Sequence, residues 1–247
     1  MKIAVIGKGG TGKTTTSGVL ARAFARRGAD VVALDCDSNA NLGLSLGLGV
    51  ETAEHMVSLR ERLDAGETEH ATTPDALMEA YGRVGPDGVR FVIVARIEQP
   101  DPGCPCCGMS PHELLDTLDA PDRVVIADLE AGIGTLTRVT EGAIDVAVLV
   151  TDATAKSLDV AERARDLATT RGIEHAVVVA NRVRDDDDLA AVAARFHDLE
   201  VVAVPEDPVI GRADRDGLAP LDVDPDAPAV RALVTLVDRL GDPQPVG

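Results

Sequence analysis

The sequence predicts an α/β fold: one doubly wound, mainly parallel sheet with helices on both faces. Three observations predict it. Near-continuous apolar runs alternate with amphipathic patterns along 247 residues, as expected when crossover helices bury both faces of a sheet. A glycine-rich stretch, GKGGTGKT at 7–14, lies between the first apolar run and the first helical pattern. Later apolar runs end in aspartate or asparagine, which would bring polar groups to one edge of such a sheet.

The elements follow in order. Strands are expected at IAVIG (3–7), VVALD (31–35), VRFVIVA (89–95), RVVIADL (123–129), DVAVLVT (145–151), HAVVVAN (175–181) and LEVVAVP (199–205). Helices are expected over Thr14–Arg27, Lys156–Arg171, Asp187–Phe196 and Ala227–Leu240, where apolar residues recur near every 3.6 positions. Residues 51–88 are more polar and read as an insertion with some helix. Asp185–Asp188 reads as a solvated helix start. The expected organisation is one P-loop domain over 1–241 and a frayed tail over 242–247.

Composition limits the function. The formal charge is −18, with 28 Asp to 14 Glu and 20 Arg to 4 Lys. A GC-rich genome or a high-salt cytoplasm would each produce this bias. Such a surface repels nucleic acid and anionic membranes. No apolar run reaches the length of a membrane span, and the N-terminus reads as a strand rather than a signal peptide. A cytoplasmic protein with no nucleic-acid and no membrane partner is expected.

GKGGTGKT fits G-x-x-x-x-G-K-[ST], preceded by a strand and followed by a helix. Gly7, Gly9, Gly10 and Gly12 would let backbone N–H groups close around phosphate oxygens, with Thr11 and Thr15 in the same loop and first turn. Lys13 should reach the β- and γ-phosphates, and Thr14 should ligate Mg²⁺. The competing reading is a glycine-rich turn that binds no nucleotide. Lys8 adds a charge that Lys13 makes redundant within one subunit.

KGGTGKT (8–14) resembles the deviant phosphate loop of the MinD/ParA/nitrogenase iron protein ATPases. That resemblance implies an ATP-hydrolysing homodimer with two ATP molecules between subunits, and Lys8 crossing to the partner's ATP. LDCDSNANL (34–42) resembles the family's switch I. By position Asp37 would orient the attacking water near Mg²⁺, while Asp35 would support Mg²⁺ or the loop, or cap the strand. VVIADLEAGIG (124–134) offers Asp128 as the carboxylate for a Mg²⁺-bound water and Gly132 as a γ-phosphate sensor. In the family an asparagine placed like Asn181 reads the adenine edge, although a turn role also fits. Pro205, Glu206 and Asp207 occupy the place of the loop that packs on the base.

GCPCCGMSPHELLDTL (103–118) carries a Cys-x-Cys pair, Cys104 and Cys106. Two thiolates hold a soft metal but leave its coordination incomplete, and a two-fold dimer would supply the other two. Cys107 is a third ligand or a spare, and His112 an extra ligand or an exposed helix residue. The bland reading is inert thiols. GC-x-C, LL-x-x-L and LEAGI are similar to the CooC-type ATPases that mature carbon monoxide dehydrogenase. This likeness implies an intersubunit Ni²⁺ or Zn²⁺ site and a client apo-metalloenzyme, carbon monoxide dehydrogenase. Two alternatives remain. A MinD/ParA-type positioning or partition switch is opposed by the charge and by a C-terminus without a basic amphipathic face. An iron–sulfur electron donor or carrier is opposed by the absence of cysteine in 128–134.

Overall fold

Strand β1 (Lys2–Gly7) is buried along its whole length and lies at the centre of an eight-stranded sheet. The computed structural model describes residues 1–37, 40–56, 78–79, 82–94, 115, 118, 120, 122–129, 136 and 140–241. The other strands are β2 (Asp30–Cys36), β3 (Arg83–Val84), β4 (Arg90–Ile93), β5 (Arg123–Leu129), β6 (Val146–Thr151), β7 (His175–Val183) and β8 (Glu200–Pro205). Their order is β3-β4-β2-β5-β1-β6-β7-β8. All neighbours are parallel except β3, which pairs antiparallel with β4 at the edge.

The helices are α1 (Lys13–Arg26), α2 (Leu42–Leu46), α3 (Val50–His55), α4 (Ala155–Thr170), α5 (Asp186–Arg195), α6 (Pro208–Asp216), α7 (Pro220–Val223) and α8 (Pro228–Leu240). They cover both faces. Alternate β1 residues point to opposite sides: Ile3 and Val5 join α1 and α8 in one apolar cluster, and Ala4 and Ile6 join α4 in the other. On α8, Ala229, Val230, Leu233, Leu236, Val237 and Leu240 are buried, one stripe at helical spacing. Each large side chain so buried contributes about 1.5–3 kcal/mol.

The sequence expectation of a mainly parallel doubly wound sheet therefore holds. Several boundaries differ. β4 stops at Ile93, and the Val94 N–H bonds to the Asp35 carbonyl at 2.8 Å. β7 runs two residues past Asn181, through a register shift between Ala180 and Val183. Helices α2, α6 and α7 were not expected; they are short and held by packing rather than by a long periodic pattern. The solvated start of α5 is present, with the Asp185 side chain accepting the Asp188 N–H at 3.0 Å. Of the insertion, α3, β3 and a 3₁₀ turn at Pro86–Gly88 are described. The tail 242–247 lies outside the described residues.

Candidate functional site

The C-terminal ends of β1, β2, β7 and β8 converge on one cleft of about 1190 Å³. Gly7 closes β1 where a Cβ would meet the Val150 carbonyl oxygen at 2.2 Å, so only glycine lets the chain turn there. Gly12 caps α1 in the left-handed conformation, φ 97°, with no side-chain cap. The first-turn N–H groups of α1 are thus left for a ligand. Within the loop, the Lys8 carbonyl accepts from the Thr11 hydroxyl at 2.8 Å and from Lys13 Nζ at 3.4 Å.

Gly9, Gly10, Gly12, Lys13, Thr14 and Thr15 line the cleft. Asp37 lines it from β2's exit, Asn181 from β7, and Pro205, Glu206 and Asp207 from β8's exit. These sequence-predicted residues are brought together. Thr11 is buried behind the loop, and Lys8 is half-buried and not part of the lining. Asn181 Nδ2 donates to the Thr11 carbonyl at 2.6 Å, tying β7 to the loop across 170 residues. Asp207 caps α6: its carboxylate accepts from the Val209 N–H at 2.9 Å and the Ala229 N–H at 3.2 Å. Both its oxygens are thus engaged by backbone.

Beneath the loop lie two carboxylates. Asp35 and Asp128 are register partners on β2 and β5, 0% and 1% exposed. Burial pushes Asp128 up to about 6, against the Thr14 hydroxyl, the Lys13 charge and the Ser17 hydroxyl. Ser17 Oγ donates to Asp128 Oδ1 at 3.2 Å. Burial and the Asp128 charge push Asp35 up to about 7, opposed by two backbone donors. Those are the Leu42 N–H at 2.9 Å and the Asp37 N–H at 3.2 Å. Asp35 therefore grips both ends of the loop that carries Asp37.

Sequence reasoning missed Ser17 and the double grip of Asp35. Ser17 was findable, since residues three apart on a helix share a face and Thr14 was already assigned. Gly132, Cys104, Cys106, Cys107 and His112 lie outside the described residues. Cys36 is described; it is buried, and desolvation pushes its thiol well up.

Known proteins resemble this chain. Residues 2–221 match the CobQ/CobB/MinD/ParA nucleotide binding domain. The carbon monoxide dehydrogenase accessory protein CooC of Rhodospirillum rubrum is 31% identical over the full length of both chains. The chain belongs to the MinD/ParA family of P-loop nucleotide-binding proteins and is of the CooC type. An uncharacterized ATP-binding protein of Methanocaldococcus jannaschii is 34% identical over 76% of this chain and 77% of its own. The MinD/ParA fold itself recurs in the septum site-determining protein MinD of Pyrococcus horikoshii, complexed with Mg-ADP. That structure has a TM-score of 0.73 at 22% identity and covers 97% of this chain and 95% of its own.

Proposed function

We propose that the chain is an ATP-dependent metallochaperone: a homodimer closed by ATP that binds nickel or zinc between its subunits and delivers it to carbon monoxide dehydrogenase. The observation that carries this reading is the full-length likeness to the Rhodospirillum rubrum accessory protein. Its ATPase part follows from the family, since the chain is a P-loop ATPase.

The reaction converts ATP and water to ADP and phosphate. Loop N–H groups and the N-terminus of α1 hold the phosphates, and Lys13 offsets their charge. Asp37 orients the water that attacks the γ-phosphorus as the bond to ADP breaks. Gly132 senses the γ-phosphate, and Lys8 of one subunit reaches the ATP of the other. Asn181 and the segment Pro205–Asp207 form the base end. The donors at the foot of α1 suit magnesium: Asp128 and Thr14 present hard oxygens beside Lys13. Those two residues, with Asp37, would hold the ion, which neutralises phosphate charge when bound.

Nickel or zinc is cargo in this scheme. Cys104 and Cys106 of each subunit would supply four thiolates to one ion. Hydrolysis would loosen the dimer and release the metal to the client apo-enzyme.

Native mass spectrometry with a non-hydrolysable ATP analogue and Ni²⁺ or Zn²⁺ tests the scheme. The expected species is a dimer with one transition metal, and the doubly substituted Cys104→Ser, Cys106→Ser chain should form the dimer without that metal. A persistently monomeric wild type, or a double variant that retains its metal, would overturn the scheme.

A further inference from the structure

Arg182 holds a backbone conformation rare for its residue type. Its φ is +57°, in the left-handed region. Among the described residues, the other non-glycines there are Asp87 and Asp122, a residue type whose short polar side chain tolerates this region. Arginine has no such compensation, and strain of this kind is retained where surrounding structure or function demands it.

The turn has a geometric consequence. Successive side chains of a strand point to opposite faces, so Asn181 and Arg182 in a regular strand could not both face one cleft. Here a register shift falls between Ala180 and Val183 at the left-handed residue, and both residues line the cleft. Asn181 meets the phosphate loop at Thr11. Arg182 is exposed and lies at the end shared with Val204, Pro205 and Glu206, where the Glu206 N–H bonds to the Val183 carbonyl at 3.0 Å. The neighbouring Arg184 is committed elsewhere: its Nε and Nη2 both donate to Asp188 at 2.9 Å. Arg182 has no such carboxylate partner among the described residues.

We infer that Arg182 is a nucleotide-contacting residue whose guanidinium packs over the purine base. The inference rests on the ATP reading above. A planar, weakly hydrated cation suits the face of an aromatic base. Next to Asn181 and near Pro205, the residues assigned to the base end, it would meet the base rather than the γ-phosphate.

Arg182→Gly removes the side chain and the strain together, so its two effects separate. The melting temperature of the nucleotide-free chain should rise by about 2–4 °C, while ATP affinity by titration calorimetry should fall about 3- to 30-fold. Binding of magnesium tripolyphosphate, which has no base, should not change. Asp122→Gly, which relieves the same backbone conformation at the opposite end of the sheet, should raise the melting temperature and leave ATP affinity as it was. Equal ATP affinity in Arg182→Gly and wild type would overturn the assignment, as would an equal loss for tripolyphosphate. A wild-type chain that binds no ATP would instead overturn the nucleotide reading itself.

Discussion

Lys13, at the start of α1, and Asp37, just past β2, both line the cleft, and separate variants test the separate roles proposed for them. Lys13→Ala removes the charge assigned to the phosphates and should abolish ATP binding by calorimetry; unchanged affinity would remove the loop from its role. Asp37→Ala should keep ATP binding and lose turnover, since it takes away the carboxylate assigned to the water and leaves Asp128 and Thr14 for the ion. Deeper down, the Asp35–Asp128 pair makes a prediction about pH. Both carboxyls are pushed above their ordinary range, to about 7 and about 6, chiefly by burial. The folded chain therefore binds more protons than the unfolded chain between about pH 4 and about pH 7. Stability of the nucleotide-free protein from this pair is highest at the acid end of that window and falls as pH rises through it. Asp35→Asn should flatten that slope in thermal melts taken across the window, and an unchanged slope would assign it to other groups.

At the scale of elements, helix α1 is packed most tightly along its middle. Its N-terminus is left open by Gly12, and its middle packs on α2 through Gly18, where a Cβ would meet the Ser45 side chain and carbonyl at 2.7 Å. Gly18→Ala has two opposed effects. Helix propensity favours alanine by about 1 kcal/mol, and overpacking against backbone costs about 1–3 kcal/mol. The clash is with a carbonyl that cannot swing aside, so the net effect should be a lower melting temperature by calorimetry. Much at this scale was legible beforehand. The starts of α1, α4 and α8 lie within a residue of expectation, because each buries a long periodic stripe. α6 was not expected, although Asp207 and Pro208 form an N-cap followed by proline at the first helical position, a start signal available in the sequence.

Across the whole molecule, one buried arginine joins parts far apart in sequence. Arg22, 3% exposed in the middle of α1, donates to Asp87 at 2.6 Å and to Asp222 at 2.7 Å. It thereby fastens α1 to the turn before β4 and to α7, whose Pro220 forms part of the cleft wall. Arg22→Met keeps the stem's packing, takes the arginine from Asp222 and leaves Asp87 with Arg26 at 3.1 Å, and both carboxylates reach solvent in part. The expected loss is about 1–3 kcal/mol in denaturant unfolding, below the range for a fully sequestered pair. A loss near zero would mean that hydration of Asp87 and Asp222 replaces the arginine completely.

The sequence by itself determined the fold class, the strand-loop-helix that forms the phosphate loop, and the strand ends that present Asp37, Asp128 and Asn181. Those signals are local: a hydrophobic period, a glycine spacing or a polar residue closing an apolar run is written within about 20 residues. Only the tertiary structure decided that Asp35 faces Asp128 across two strands, that Asn181 reaches back to Thr11, that Arg22 meets Asp87 and Asp222, and that Arg182 turns into the cleft. Each depends on strand order, register or a bulge, which arise from packing between distant segments and leave no fixed spacing to read.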